Sequence, residues 1–157
     1  MGLPGMGVLA GCLPARKSVS SPDLLAVVCG RLLPSDDGPG AREANVAEYV
    51  QKALSGHYAS YLRVIQEGLG RVDRLARREW ESPFVRLSPS VQDRILRFVQ
   101  KGGEDDDGFR GGVFVHRLLE LCLEGFLGDP RHGGNRNGAG WRYIGFAPPG
   151  PCRERNR

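Results

Sequence analysis

The chain has 157 residues, 40% hydrophobic and 25% charged, with a formal net charge of +4. That length suits one domain burying roughly two-thirds of its unfolded surface. No apolar run reaches the ~18 residues that span a bilayer, and no basic stripe interleaved with aromatics marks a nucleic-acid binder.

In chain order, Leu9-Ala10-Gly11-Cys12 has the small-residue pattern of a lipobox, which makes Cys12 a lipidation candidate. Met1 to Ala10 carries none of the positive charge that precedes an export segment. Either the basic region lies upstream of Met1 or the pattern is coincidental. The first helix opens at Ser21-Pro22-Asp23: serine caps free amides, proline is preorganised for the first turn, and aspartate favours the positive dipole end. Leu24, Val28 and Leu32 recur at i+4 beside Leu25, Cys29 and Leu33, until Pro34 ends the run. After a Ser35–Gly40 loop, Val46, Tyr49, Val50, Ala53 and Leu54 trace one buried helical face.

A third helix carries Tyr58, Tyr61, Leu62, Ile65, Leu69, Val72 and Ala76; its Gly68 and Gly70 mark either close packing or a kink. Ser88-Pro89 caps a fourth, with Val91, Ile95 and Val99 inward and Gly102 closing it. The acidic run Glu104-Asp105-Asp106-Asp107 lacks the ligand spacing of a calcium loop and is expected to be a solvated linker. The fifth helix, from about Gly112 to Leu127, shows Phe114, Val115, Leu118, Leu119, Cys122, Leu123 and Phe126 on more than one face. It is therefore either the central helix or one that contacts a partner.

Gly128-Asp129-Pro130 stops that helix. The segment beyond is too rich in glycine for a helix, yet Trp141, Tyr143, Ile144 and Phe146 make it too aromatic for a disordered tail. It is expected to lie in a defined path over a surface, its own or a partner's. The fold class is all-α: about five helices with an extended glycine- and aromatic-rich C-terminal arm. Residues 1–20 form a leader or lipobox remnant and linker, 21–127 the helical domain, and 128–157 the arm and a basic tail.

Nothing in the chain points to hard chemistry. Cys12, Cys29, Cys122 and Cys152 lack CxxC or CxxCH spacing, which excludes an attached c-type haem and argues against a zinc knuckle. Cys29 and Cys122 fall on apolar helix faces and read as buried free thiols, with a disulfide between them left open. His57 and His116 have no metal-type second ligand at i+3 or i+4. His132, near Asp129 and Asn135, is the most catalytic-looking group, although turn capping with a solvated histidine explains it as well. We assign no catalytic, cofactor or metal residue.

Taken together, Glu124-Gly125-Phe126, Asp129-Pro130, Gly133-Gly134-Asn135-Arg136, Gly140-Trp141 and Ile144-Gly145-Phe146-Ala147-Pro148 resemble the small (gamma) subunit, subunit 3, of gluconate 2-dehydrogenase. Upstream, Leu33-Pro34 to Asp37, Gly38 to Ala44 and Val46 to Tyr49 are similar to the family's first half. Relatives carry a His-Thr pair where this chain has Leu121-Cys122, so no role is carried over there. The resemblance implies a periplasmic, membrane-associated complex exported through a twin-arginine signal. Its flavoprotein would be of the glucose-methanol-choline type with FAD, and its electron acceptor a multi-haem cytochrome c. The small subunit would hold no cofactor of its own. Asp129, Gly133, Gly134, Asn135, Arg136, Trp141, Tyr143, Ile144 and Phe146 would then form the partner-binding strip. A free-standing helical lipoprotein, its arm packed on its own bundle, is the alternative.

Overall fold

The computed structural model describes residues 21–106 and 108–147. Cys12, Cys152 and the basic tail lie outside them. Six α-helices follow in order: α1 (Pro22–Leu32), α2 (Val46–Leu54), α3 (Leu62–Trp80), α4 (Pro89–Gln100), α5 (Gly111–Leu127) and the short α6 (Ala139–Tyr143). Among the described residues there is no sheet, only an isolated bridge between Asp106 and Phe109. The all-α expectation holds.

The five long helices form where the apolar period of the sequence places them, and of these α1 carries a side-chain cap. Ser21 accepts the Leu24 amide at 3.4 Å and Pro22 fills the first turn of α1. Ser88 occupies the same position before α4 but caps no amide; its hydroxyl lies 3.2 Å from that of Ser90. Tyr58 precedes α3, and Ala59–Tyr61 forms a single 3-10 turn leading into it.

The core is built around α5, which packs on α1, α2, α3 and α4. Phe114, Leu118, Leu121 and Cys122 are wholly enclosed there. Of the two readings offered for α5, centrality is what its inner faces show. Each fully buried leucine, isoleucine, valine or phenylalanine is worth ~1.5–3 kcal/mol relative to leaving it in water. Gly68 is a packing glycine and not a kink: α3 runs unbroken, and a Cβ there would sit 2.1 Å from the Phe114 ring.

Polar clasps fix the helices' order. Arg31 of α1 grips Asp93 of α4 through two hydrogen bonds of 2.7 Å. The buried Gln92 amide donates to the Phe84 carbonyl at 2.9 Å. The acidic run is a linker with Asp105 and Asp106 exposed, and its groups are also paired with neighbours. Arg71 holds the Asp106 carboxylate and the Glu104 carbonyl while its guanidinium lies 4.3 Å from the Phe109 ring centroid. Glu104 pairs with Arg78 at 2.9 Å, and Asp105 accepts the Gly111 amide at 2.7 Å at the start of α5. Arginines from α3 capture this linker because it closes back over the neighbouring helix.

Candidate functional site

The segment after α5 is no open strand. Two 3-10 turns, Pro130–His132 and Arg136–Gly138, lead into α6. Its glycines and asparagines have a backbone reason. Gly133, Asn135, Asn137 and Gly138 all adopt positive φ, a region open to glycine and tolerated by asparagine. The chain therefore coils back on itself, and the expectation that glycine would preclude any helix fails for Ala139–Tyr143.

The coil is anchored to the C-terminal half of α5 at near-contact backbone distance. A Cβ on Gly134 would lie 2.1 Å from the Gly125 carbonyl oxygen, and one on Gly140 would lie 2.0 Å from that of Phe126. Only hydrogen fits at either place. Asn135 is 0% exposed and forms the central tie: its amide donates to the Gly128 carbonyl and its oxygen accepts the Gly140 amide, both at 2.8 Å. The Arg136 amide donates to the Ala44 carbonyl at 3.1 Å, fastening the arm to the approach to α2. Asp129 caps the first turn, accepting the Arg131 amide at 2.9 Å and pairing with its guanidinium at 2.6 Å. Those contacts hold the Asp129 carboxyl at about 2, with the Arg131 side chain the leading cause.

Because the backbone faces inward, the side chains face out. The Trp141 indole donates to the Leu127 carbonyl at 2.6 Å and meets Phe146 edge-on, ring centroids 5.3 Å apart. Phe146 is 47% exposed, and Leu123 and Leu127 on successive turns of α5 are 43% and 39% exposed. The hydrogen bond brings Trp141, and Phe146 with it, to the C-terminal end of α5. Tyr143 and Ile144 are each 57% exposed. Tyr143 lies edge-on to Phe126 and against Gly38, beside a cleft of about 470 Å³ lined by Pro39, Glu43, Arg136 and Arg142.

The strip expected from sequence thus divides in two. Gly133, Gly134 and Asn135 set the arm's path, with Gly134 and Asn135 buried under it, while Asp129 and Arg136 fasten its turns. Trp141, Tyr143, Ile144 and Phe146 form its outer face. Leu127 was missed, because at the end of an amphipathic helix its exposure depends on where the arm returns.

Sequence reasoning also missed a cleft of about 300 Å³ lined by Tyr49, Lys52, His57, Tyr58, Glu124 and His132. Tyr49 and Tyr58 both face this cleft with Glu124. Burial raises the Tyr49 hydroxyl well above the ordinary phenol range, while the Glu124 contact leads for Tyr58. His132 is exposed at the rim, and Asp129, held by Arg131, does not line this cleft. The Asp129–His132–Asn135 cluster therefore does not converge on a pocket. No group of three His, Cys, Asp or Glu able to hold a metal occurs among the described residues, and no helix there is long and apolar enough to cross a membrane.

Fold and site define a small all-α protein whose C-terminal coil is bonded to its central helix and presents apolar side chains outward. The chain belongs to the gluconate 2-dehydrogenase subunit 3 family, whose model matches residues 21–150. By its description, the family is that of a dehydrogenase subunit. No curated protein and no solved structure matches the chain.

Proposed function

We propose that this chain is the non-catalytic small subunit of a periplasmic, membrane-associated, FAD-dependent sugar or sugar-acid dehydrogenase. It would stabilise and co-export a flavoprotein subunit of the glucose-methanol-choline type that passes electrons to a multi-haem cytochrome c. One observation carries the reading: Leu123 and Leu127 at the end of α5, and Phe146 beside Trp141, stay open to solvent although the arm is already tied down at its backbone. Exposed apolar patches of this kind mark interaction sites, and large aromatic anchors dominate interface energetics. A free-standing lipoprotein packing its own arm would cover Phe146 and Ile144, which are half-exposed here. FAD and haem belong to the partner subunits in this reading, and Cys12 would supply a lipid anchor.

The test is affinity purification of the tagged chain from its host's membrane fraction, with mass spectrometry, flavin absorbance and dye-linked sugar oxidation. A co-purifying flavoprotein with sugar-dependent dye reduction is expected. A colourless monomer that comes out alone would replace this reading with the free-standing lipoprotein.

A further inference from the structure

Where the arm meets the loop before α2 it leaves a cleft of about 470 Å³, lined by Pro39, Glu43, Arg136, Arg142 and Tyr143 among others. The turns of the arm put both arginines there. The Arg136 amide is bonded to the Ala44 carbonyl at 3.1 Å, at the start of a turn in which Asn137 and Gly138 take positive φ. The short α6 leaves that turn, and the Arg142 guanidinium reaches back to donate to the Asn137 carbonyl. Both arginines are exposed. Among the described residues neither guanidinium has an ion pair.

The acidic group that lines the cleft is already engaged elsewhere. Glu43 accepts the Ser35 hydroxyl at 2.5 Å and the Gly40 amide at 2.9 Å, both on Oε2, so it braces its own loop. Glu48, in the first turn of α2, is held by Lys52 at 2.6 Å. Two guanidinium groups facing one engaged carboxylate leave the cleft net positive, and an arginine fork matches a carboxylate through two parallel hydrogen bonds. Residues 148–157 carry three arginines against one glutamate, so the chain's own tail has the wrong sign to fill it. Tyr143 lines the cleft and is 57% exposed, which makes the cleft continuous with the open face of the arm.

We infer that this cleft is a carboxylate socket, in which Arg136 and Arg142 take an acidic side chain of the flavoprotein subunit beside the aromatic contacts of the arm. The socket rests on the docking reading above and adds charge recognition to it. Because the cleft is open to solvent, its pairing is screened by salt, whereas burial of Phe146 and Leu123 carries no charge to screen. Charge complementarity of this kind fixes register and speeds encounter more than it raises total affinity.

The experiment expresses tagged full-length wild type and Arg136→Gln/Arg142→Gln in the native host. The flavoprotein captured by each is measured by flavin absorbance at sodium chloride concentrations from about 0.05 to about 0.5 M. Wild type should lose capture steeply as salt rises. The double variant should bind more weakly by roughly tenfold or more at low salt and change little with salt. Arg97→Gln, at an exposed position of α4 outside the cleft, should behave as wild type; an equal loss there would reduce the effect to net charge and overturn the socket. If the double variant loses its far-ultraviolet dichroism, Arg136→Gln alone replaces it, since that guanidinium makes no hydrogen bond among the described residues. Arg136→Lys/Arg142→Lys keeps the charge and permits carbodiimide coupling within the complex. The expected cross-link joins position 136 or 142 to an aspartate or glutamate of the flavoprotein, and cross-links confined to this chain's own acids, such as Glu154, would overturn the socket. Capture undiminished in the double variant would overturn the socket and leave the docking reading standing. A wild-type chain that captures no flavoprotein at any salt concentration would overturn both.

Discussion

The helical body and the C-terminal arm solve the same problem in opposite ways. In the body, side chains turn inward: Leu25, Ile65, Ile95 and Leu118 meet around α5, and the backbone is satisfied within each helix. In the arm, the backbone turns inward. Gly134 and Gly140 lie on the carbonyls of Gly125 and Phe126, Asn135 ties both ends of the coil, and the aromatic side chains are left outside. A helix held by its side chains has spent its apolar surface on itself. A coil held by its backbone keeps that surface for another molecule.

The sharpest way to break this contrast is at the arm's contact glycine. Gly134→Ala forces a methyl group into the Gly125 carbonyl, and overpacking of this kind costs typically ~1–3 kcal/mol. We expect the arm to lift while the five-helix body keeps its far-ultraviolet dichroism. In a Trp80→Phe background Trp141 fluorescence should shift to the red, and an unchanged spectrum would show that the arm does not depend on this contact. Asn135→Ala tests the same anchor through hydrogen bonds. It leaves the Gly128 carbonyl and the Gly140 amide without their buried partner, at a cost of ~1–3 kcal/mol readable in urea denaturation.

Substitution on the outer face should do the reverse. Leu123→Ser with Phe146→Ser touches exposed positions, so stability should move by no more than ~0.5 kcal/mol per site. Affinity for the flavoprotein should fall by ~2 kcal/mol or more if these are anchors, roughly thirtyfold. Full retained affinity would sink the docking role of the strip. Gly30→Ala supplies the body's counterpart to Gly134. A methyl group there meets nothing within 4 Å inside α1, and relief of helical glycine should stabilise by ~0.5–1 kcal/mol, seen as a raised melting temperature.

The smallest effect concerns acid. The Arg31 guanidinium beside Asp93 holds its carboxyl below the ordinary range, in a pair whose side chains are 24% and 26% exposed. A lowered folded value means that the pair's contribution is whole above the unfolded carboxylate's ~3.9 and is lost as pH falls through the folded value. Wild type should exceed Asp93→Asn by up to ~1 kcal/mol near neutrality. The gap in urea midpoints should close as pH drops below about 4. A gap that persists to pH ~2 would assign the effect to packing.

Much of the body was legible in the sequence because its signals are local. Ser21-Pro22 and the i, i+3, i+4 spacing of Val46, Tyr49 and Val50 report their own environment within a turn or two. The arm was legible only in part. Its glycines and aromatics announced a defined non-helical path, but a five-residue helix held by Asn135 from outside has no periodicity of its own to read. Ser88 gave a cap signal that its hydroxyl does not use. The arginine partners of the Glu104–Asp106 run went unread because Arg71 and Arg78, more than twenty residues earlier, gave no sign that they would reach it.

Local spacing by itself determined the five long helices and the stop after Leu127, since each depends on neighbours within one or two turns. Tertiary structure alone decided which arm residues anchor and which stay open. It also brought Tyr49, Tyr58 and Glu124 to one cleft. Those outcomes depend on how separate helices rotate and where the chain returns, and that is set by the joint packing of side chains distant in sequence.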